Sequence, residues 1–570
     1  MFKYLWLAML CATLLSSCNS GGAKKEKTTR EAKGGVKYGG VFRENETEYF
    51  RSLFPQNITE VVGHRITNQV YEGLVVMNQS DLSVEPALAE SWTVNDSATE
   101  FTFKIRKGVY FHDDACFADG KGREVTAKDF LYCFEKLCTP AASNQGFWLF
   151  ENVVKGATAL FNTKYKGTID FGVKVVDDYT LTITLERPFA GFLFRLAMPF
   201  CAVFPQEALE KYGEEMRDKA VGTGPFIIKK VLTDEGVYLS RNEKYWAKDE
   251  FGNQLPYLDG IKFSFIKEEK VEMLEFRKQN LEMKYRLPLD AITEILDKEG
   301  KLQGDYKQFE LQKTTELALA YYGFLHTDKI FGNVHARRAF CYAIDRTKIV
   351  DYTVKGEGVP AFNGIVPIGM AGYNNAAVKG FNFDVAKARE ELKLAGYPDG
   401  KGLKKITLQI NSGGGRNEKV AEAIIAMLKE NLNVEVNITQ LPFAQHLENY
   451  EVGKAPFWRA GWVADYPDPE NFLNLCYGKH VPANPTDKAY LNAYRYKNPV
   501  YDKLFLEALA TTDFEKRNRL YEQLDQIAVN DAVMLPIYYN INRRLIQKYV
   551  RNFPVNGMEY RNFRNVWLDK

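Results

Sequence analysis

The segment KITLQINSGGGRNEKVAEAIIAMLKENLNVEVNITQ, residues 405–440, decides the fold class of this chain. Ile406, Leu408 and Ile410 alternate with other residues, as in a half-buried strand. A glycine-rich turn comes next, then apolar residues at helical spacing, and then a second alternation through Val436. A strand, a helix and a strand in this order predict a crossover between two parallel strands, and therefore an α/β fold.

The glycine-rich turn at 412–415 has two interpretations. Glycines before a helix N-terminus can bind a phosphate group. However, no Gly-Lys-Ser/Thr follows the turn, and no acidic residue stands where a ribose hydroxyl would need one. A structural turn is the favoured interpretation.

Other segments show the same two periodicities. Alternation over 101–105, 181–185 and 261–265 predicts half-buried strands. Thr126 followed by Asp129 resembles a capping box and predicts the start of a helix. Asp384 is expected to cap a further helix, which Gly396 ends.

Length and composition limit the class of protein. A chain of 570 residues exceeds the roughly 250 to 300 at which single cores stop growing, so several core-forming regions are expected. Hydrophobic residues make up 45% and charged residues 26%, the balance of a soluble globular protein. Lys and Arg number 75 against 73 Asp and Glu, so no strong field attracts nucleic acid, which is not expected as a partner.

The N-terminal residues predict export. An apolar stretch at 4–15 follows Lys3 and is shorter than the roughly 20 residues of a spanning helix, as in a secretory signal. Leu15-Ser16-Ser17-Cys18 resembles the lipobox of bacterial lipoproteins, which implies a signal peptide at 1–17 and lipidation of Cys18. An ordinary signal peptide with an incidental cysteine is the alternative. Residues 18–35 are expected to form a flexible tether.

Six cysteines remain after Cys11 and Cys18 are set aside, and the sequence does not determine whether or how they pair: Cys116, Cys133, Cys138, Cys201, Cys341 and Cys476. Three of them stand near His112, which suggests a zinc cluster. Because a spacing of five separates Cys133 and Cys138 around a helix, a buried thiol or a disulfide is favoured, and no metal site is expected.

The motifs of common hydrolases are missing. None of the six histidines lies in a His-Glu-x-x-His motif, and the chain has no Gly-x-Ser-x-Gly elbow. Carboxylates are abundant, so an acid/base pair is left open. The chain is not expected to be an enzyme or to carry a cofactor.

A series of short segments is informative through its order: GGVFR at 39–43, VYEGLV at 70–75, PALAESWTVND at 86–96, FTFKIRKGVYFHDD at 101–114, VTAKDFLYCFEKL at 125–137, VGTGPF at 221–226, RNEKYW at 241–246, ARRAFCYAIDRTKIV at 336–350 and LKLAGYPDGKG at 392–402. Together they resemble the peptide-binding branch (family 5) of the extracytoplasmic solute-binding proteins that serve ABC importers. The resemblance covers nearly the whole mature chain.

This resemblance implies a hinged, bilobal fold of the type II periplasmic-binding-protein class with an additional inserted domain. Domain I would comprise 36–72, 204–315 and 541–570. Domain II would comprise 73–203 and domain III 316–540. Closure of the lobes would bury a ligand away from water, and a monomer is expected.

The segment RAGWVADYPDPENFL, residues 459–473, resembles the ligand segment of the family. The resemblance implies that Asp465, three residues after Gly461-Trp462, receives the free α-amino group of a peptide. Asp465 could instead cap a turn before Pro467. Arg459 stands where some relatives bind the carboxylate of a short peptide, with a surface ion pair as the alternative.

Tyr321 and Tyr322 match the tyrosine-rich strand against which family peptides lie, where main-chain hydrogen bonds would supply affinity. Two adjacent strand tyrosines can equally be core, one on each face. The chain departs from the family at Gly323, where many relatives have glutamate, and near Phe443, where a tryptophan is lost. These departures bear on peptide length and preference.

The function that follows is a lipid-anchored, non-catalytic receptor on the periplasmic side of the cell envelope. It would capture short peptides and deliver them to an ABC permease, with the membrane contact made through Cys18. One alternative is a receptor of the same fold for an oligosaccharide, a metal chelate or haem. An envelope peptidase or amidase and a structural scaffold are further alternatives.

Overall fold

The computed structural model describes residues 30–162, 164, 167–189, 191–412 and 415–570. The predicted signal peptide, Cys18 and the first part of the predicted tether lie outside these residues. Among the described helices, none has both the length and the apolar composition needed to span a bilayer.

The described strands are β1 (Arg30–Glu31), β2 (Lys37–Tyr38), β3 (Val41–Asn45), β4 (Val75–Met77), β5 (Val84–Pro86), β6 (Ala89–Val94), β7 (Glu100–Ile105), β8 (Val173–Asp177), β9 (Thr180–Thr184), β10 (Phe226–Leu232), β11 (Gly236–Arg241), β12 (Gly260–Ser264), β13 (Met283–Lys284), β14 (Phe309–Phe324), β15 (Gly358–Pro360), β16 (Ile406–Asn411), β17 (Val436–Leu441), β18 (Phe457–Val463), β19 (Met534–Gln547), β20 (Val550–Arg551) and β21 (Trp567–Leu568).

The described α-helices are α1 (Val61–Thr67), α2 (Ala127–Leu137), α3 (Ala157–Phe161), α4 (Phe192–Leu196), α5 (Gln206–Tyr212), α6 (Glu269–Arg277), α7 (Ile292–Ile295), α8 (Val334–Ala343), α9 (Arg346–Lys348), α10 (Val385–Leu394), α11 (Arg416–Leu432), α12 (Phe443–Glu451), α13 (Glu470–Leu473), α14 (Pro499–Ala510) and α15 (Phe514–Asn530).

The crossover predicted at 405–440 is confirmed. Strands β16 and β17 pair in parallel, with Ile406 opposite Val436, and α11 connects them. The helix buries Val420, Ile424 and Leu428 on one face, as the helical spacing of the apolar residues requires. The unit therefore forms one edge of a larger sheet.

Three main sheets organise the described residues. The largest has seven strands in the order β13-β19-β14-β18-β16-β17, with β15 added to β19. A four-stranded sheet in the order β10-β11-β12-β3 lies within the segments predicted as domain I, and another in the order β6-β7-β9-β8 lies within predicted domain II. Mixed sheets with packed helices confirm the α/β class.

The local predictions are also confirmed. The three predicted strands are β7, β9 and β12. Thr126 and Asp129 form a reciprocal capping box at the start of α2. The Asp384 side chain accepts the backbone N–H of Lys387 and so caps α10.

Two long antiparallel strands connect the predicted domains I and III. β14 has 16 residues and β19 has 14. Their register shifts between Thr315, which pairs with Ile541, and Leu319, which pairs with Tyr539. Because a bulge bends a strand, the shift marks the point where the sheet can change direction. It coincides with the boundary predicted at 315/316.

A half-buried carboxylate, that of Glu72, fixes the other predicted junction, at 72/73. The Glu72 carboxylate accepts hydrogen bonds from the Tyr245 hydroxyl (2.8 Å), the Thr223 hydroxyl (2.9 Å) and the Trp246 indole (3.1 Å). Burial raises its pKa against the effect of these three donors. Its own carbonyl accepts the N–H of Val203 at 2.9 Å, which joins the two chain crossings.

The predicted tether needs one correction. Residues 30–35, which the sequence assigns to a flexible tether, belong to a small hairpin in which β1 pairs with β2. The Asn253 side chain accepts the backbone N–H of Lys33 at 3.1 Å, and the Arg30 guanidinium lies 5.3 Å from the Tyr38 ring. These contacts hold residues 30–35 in place, although the sequence of this polar segment shows no apolar periodicity.

The six described cysteines are free thiols, and all but Cys116 are buried. Burial raises the pKa of Cys116 to about 12. His112 bonds to the Gly224 carbonyl at 2.9 Å, and Cys133 bonds to the backbone of Phe204. Within the described part of the chain, no group of three or more potential ligands is arranged to hold a metal ion.

Candidate ligand-binding cleft

Asp465 lies in the loop after β18, where Asn471 fixes its position. The Asn471 amide group donates to Asp465 Oδ2 at 3.2 Å, and its oxygen accepts the Asp465 N–H at 3.1 Å. The same oxygen accepts the Trp462 indole N–H at 2.8 Å. Asp465 and Trp462 are both half-buried, so one fully buried asparagine orients two of the predicted site residues.

A different residue caps the turn that follows. Asp468 Oδ1 accepts the backbone N–H of Glu470 at 2.9 Å at the start of α13. The Asp465 carboxylate has only the Asn471 amide as a hydrogen-bond donor among the described residues. The turn-capping interpretation of Asp465 is therefore not supported by its contacts.

The charge on Asp465 is poorly compensated within the protein. Burial raises the pKa of this carboxyl, and nearby His64 and the Asn471 hydrogen bond partly oppose the shift. His64 lies on α1, within predicted domain I, so two lobes meet at Asp465. No lysine or arginine of the described chain forms an ion pair with Asp465. Since an uncompensated carboxylate is costly to bury, the arrangement suits a cation brought by a ligand.

Arg459 projects from β18 towards the end of β16. Its Nη1 donates to Asn411 Oδ1 at 3.3 Å, and it forms no ion pair with a described carboxylate. The surface ion pair considered from the sequence is thus not seen. The hydroxyl of Tyr322, which is 2% exposed, has no partner in the described chain and lines a small cavity with Arg459 and Asn417.

Glu48 approaches the same region from predicted domain I. Burial raises its pKa to about 7, while a hydrogen bond with Asn411 and the charges of Lys267 and Arg459 oppose the shift. Its Oε1 is buried without a partner in the described chain. Arg459 therefore belongs to a polar cluster with Glu48 and Asn411, and the members of this cluster come from predicted domains I and III.

The tyrosine-rich strand is an interior strand. Tyr321 and Tyr322 are buried on opposite faces of β14, and Tyr321 packs 6.1 Å from Tyr494. β14 pairs with β18 on one side and with β19 on the other, so its backbone is not available for an added strand. The expectation of main-chain hydrogen bonding at β14 is wrong, because both of its edges are occupied.

The adjacent strand offers an edge instead. β18 pairs with β14 along its length, whereas on its other side β16 reaches only Phe457 and Trp458. The Arg459 carbonyl is bonded to His446 Nε2 at 2.9 Å, so residues 460–463 lie at an open edge within the described sheets. Gly461, in the middle of this edge, is exposed. An extended ligand can add to such an edge by main-chain hydrogen bonds.

The departure from the family at Gly323 has a packing cause. Gly323 lies opposite Trp458 in the β14–β18 pair, and a Cβ there would stand 2.3 Å from the indole ring. Trp458 is fully buried and stacks between Tyr450 and Tyr494. Phe443 is half-buried at the first residue of α12, and its role as a ligand contact stays a prediction.

Contacts beside Asp465 hold the predicted lobes together. Arg195, on α4, donates to Glu470 on α13 at 2.9 Å, and both side chains are buried. The Phe194 and Tyr466 rings stack at 6.3 Å. The side of the cleft next to Asp465 is therefore sealed by a buried ion pair and a ring stack.

Sequence reasoning missed four residues of this cleft. Asn471 stands within the quoted ligand segment, six positions after Asp465, and asparagine is a plausible partner for a carboxylate, so a signal was present. Glu470 stands in the same segment, directly before Asn471. His64 and Glu48 meet the site only through the packing of the lobes. No local pattern identifies them.

Comparison with known proteins assigns the family. Residues 83–483, well over half of the chain, match the bacterial extracellular solute-binding proteins, family 5 Middle. The chain belongs to this family. The resemblance seen in the sequence and the bilobal type II fold that it implied are confirmed.

Individual relatives extend along nearly the whole chain. The periplasmic oligopeptide-binding protein OppA of Escherichia coli (strain K12) is 31% identical over 90% of this chain and 89% of its own. Heme-binding protein A of Haemophilus influenzae is 28% identical, with 99% and 98% covered. The structure of the periplasmic binding protein DppA from Helicobacter pylori in complex with peptide STSA matches with a TM-score of 0.81 and 26% identity, over 94% of this chain and 99% of that one. These proteins are named as binding proteins.

We expect Gly323→Ala to destabilise the protein by roughly 1 to 3 kcal/mol, because the stacked Trp458 ring cannot move away from the added methyl group. Gly415→Ala is the matched control, since a Cβ at Gly415 meets nothing within 4 Å. Urea unfolding of both variants measures the difference. Equal stability of the two variants would show that the indole ring moves freely.

Glu48 should make the stability of the ligand-free protein depend on pH. Its folded pKa of about 7 lies above the ordinary glutamate pKa of 4.5, so the folded state binds more protons than the unfolded state between these values. Stability is then fully present below pH 4.5 and is lost as the pH rises through 7. Relative to Glu48→Gln, the free energy of unfolding of the native protein should fall across this window, by less than the full pKa shift implies because solvent screens part of this half-buried carboxylate. Parallel unfolding curves for the two proteins at every pH would contradict the assignment.

Proposed function

We propose that the protein is a non-catalytic receptor for short peptides with a free amino terminus. The observation that carries the proposal is the Asp465 carboxylate, which is oriented by Asn471 and half-buried between lobes without a lysine or arginine partner in the described chain. A peptide ammonium group supplies the missing charge. In a closed cleft of low effective dielectric this pair is stronger than in water.

The strand β18 also indicates how the rest of the peptide binds. The peptide main chain adds to the open edge of β18 at 460–463, and its carboxylate reaches the Arg459 side chain, which has no carboxylate partner in the described chain. Asp465 stands six positions after Arg459, a distance of at most about 20 Å along the chain. Ligands that make both end contacts are therefore short, about six residues or fewer.

The requirement for a free amino terminus has a steric basis as well. The Arg195–Glu470 ion pair and the Phe194–Tyr466 stack occupy the space beside Asp465. A residue added before the ammonium group would have to separate these contacts. Opening a buried ion pair leaves two charges in need of solvation, which is costly.

The cellular setting is part of the proposal. Cys18 carries the lipid, a tether of about a dozen residues leads to the hairpin at Arg30, and the body works on the periplasmic side of the envelope. A tether of this length reaches at most about 40 Å from the membrane. Domain III closes on domains I and II around the peptide, and an ABC permease receives the ligand.

Haem is the second candidate ligand, because the relative named Heme-binding protein A matches 99% of this chain. The two ligands make different demands on the site. A peptide needs the Asp465 carboxylate, whereas haem needs an axial ligand for its iron and an apolar surface for its ring. Titration of the protein with haem, followed by absorbance, distinguishes them: a Soret shift at one equivalent would favour haem.

Asp465→Ala should weaken the binding of short peptides by on the order of 3 to 5 kcal/mol, since it leaves the ligand ammonium buried without a partner. Isothermal calorimetry on refolded, ligand-free protein measures the change. Asp487→Asn, an exposed aspartate of the same predicted domain, is the control and should bind as the native protein does. Native affinity in Asp465→Ala would refute the proposed role of this carboxylate.

A further inference from the structure

The register shift in β14 contains a residue that bonds in two directions. Residues 316–318 have no partner on β19. The Leu317 N–H donates to the Gly557 carbonyl at 2.6 Å, and the Leu317 carbonyl accepts the N–H of Ala464 at 2.8 Å. Gly557 lies in the C-terminal segment of predicted domain I, and Ala464 immediately precedes Asp465. The bulge is thus linked by backbone hydrogen bonds to both lobes and to the ligand segment.

The carboxylate of Glu316 holds this bulge. Oε1 accepts the Tyr285 hydroxyl at 2.9 Å, while Oε2 accepts Arg286 Nη2 at 2.7 Å and the Asn540 amide at 2.8 Å. Glu316 is 1% exposed. Tyr285 and Arg286 belong to predicted domain I and Asn540 to predicted domain III, so one buried carboxylate joins the two sides of the boundary.

The backbone at Arg286 supports the same view. Its φ of 57° lies in the left-handed region, which residues other than glycine rarely adopt. Such a conformation persists only where the surrounding contacts hold it, and it is typical of functional positions. The ion pair with Glu316 is the contact that fixes this side chain.

We propose that Glu316 is a positioning residue that sets the angle between the lobes and couples it to occupancy at Asp465. A ligand that displaces the 464–465 backbone also displaces Leu317, whose carbonyl accepts the Ala464 N–H. The three hydrogen bonds of Glu316 then transmit this displacement to the long strands β14 and β19. This coupling rests on the proposed function, whereas the control of the lobe angle does not.

The test measures the angle directly. Spin labels at Glu235→Cys and Glu422→Cys, both exposed and on opposite sides of the boundary, report the interlobe distance by pulsed electron resonance, with Cys116 replaced by serine. In ligand-free protein, Glu316→Gln should broaden the distance distribution and shift it to larger values. Glu310→Gln, an exposed glutamate on the same strand, should leave it unchanged. A Glu316→Gln distribution identical to that of the control overturns the proposal.

Peptide dissociation tests the coupling. Stopped-flow displacement should give a dissociation rate at least tenfold faster in Glu316→Gln, with the association rate within threefold of the native value. Loss of folding alone would lower the active fraction and leave this rate unchanged.

If Glu316→Gln does not fold, Asn540→Ala removes only the bond from predicted domain III, and both readouts are taken on that variant. A native distance distribution in Asn540→Ala then overturns the proposal. If the native protein binds no peptide, the proposed function is refuted. The interlobe distance measurement then decides the role of Glu316 by itself.

Discussion

The account depends on one unsatisfied charge. Asp465 is half-buried between lobes, oriented by Asn471 and approached by His64, and within the described chain it has no lysine or arginine partner. A protein that only needed a stable turn at this position would have no reason to retain a buried carboxylate, since burial already disfavours its charged form. The turn itself is capped by Asp468. We therefore infer that the Asp465 carboxylate forms an ion pair with a positively charged group of the ligand.

The rest of the fold places that charge where a ligand can reach it and where water can be excluded. The seven-stranded sheet supplies an open edge at β18 that leads to Asp465, and Trp458 packs against Gly323 in the core beneath it. Two junctions of different character connect the parts. A carboxylate with three hydrogen-bond donors holds each junction, Glu72 at the first and Glu316 at the second, and the bulge at 316–318 interrupts the strand pairing at the second junction. Movement between lobes is thus expected at the second junction and not at the first.

The local elements were predictable because their causes are local. The alternation of Ile406, Leu408 and Ile410, the Thr126–Asp129 capping box and the Asp384 cap are each written within a few residues of sequence. The ordered motifs predicted the family, which is confirmed, whereas the role of Asp465 that the ligand segment implied stays a prediction. What failed depended on distant packing: β14 is an interior strand only because β19 returns from more than 200 positions later, which no pattern near Tyr321 reveals. The hairpin at Arg30 was missed for the same reason, as Asn253 and Tyr38 hold a segment whose own composition is that of a tether. His64 and Glu48 join the site through the packing of the lobes.

The most direct measurement is calorimetric titration of refolded, ligand-free protein, residues 30–570, with a pool of two- to five-residue peptides and with the same pool N-acetylated. The account predicts saturable binding of the free peptides and none of the acetylated ones, because acetylation removes the ammonium charge and adds bulk beside the Arg195–Glu470 pair. Equal binding of both pools would contradict it, since the ligand would then be held without the amine contact at Asp465.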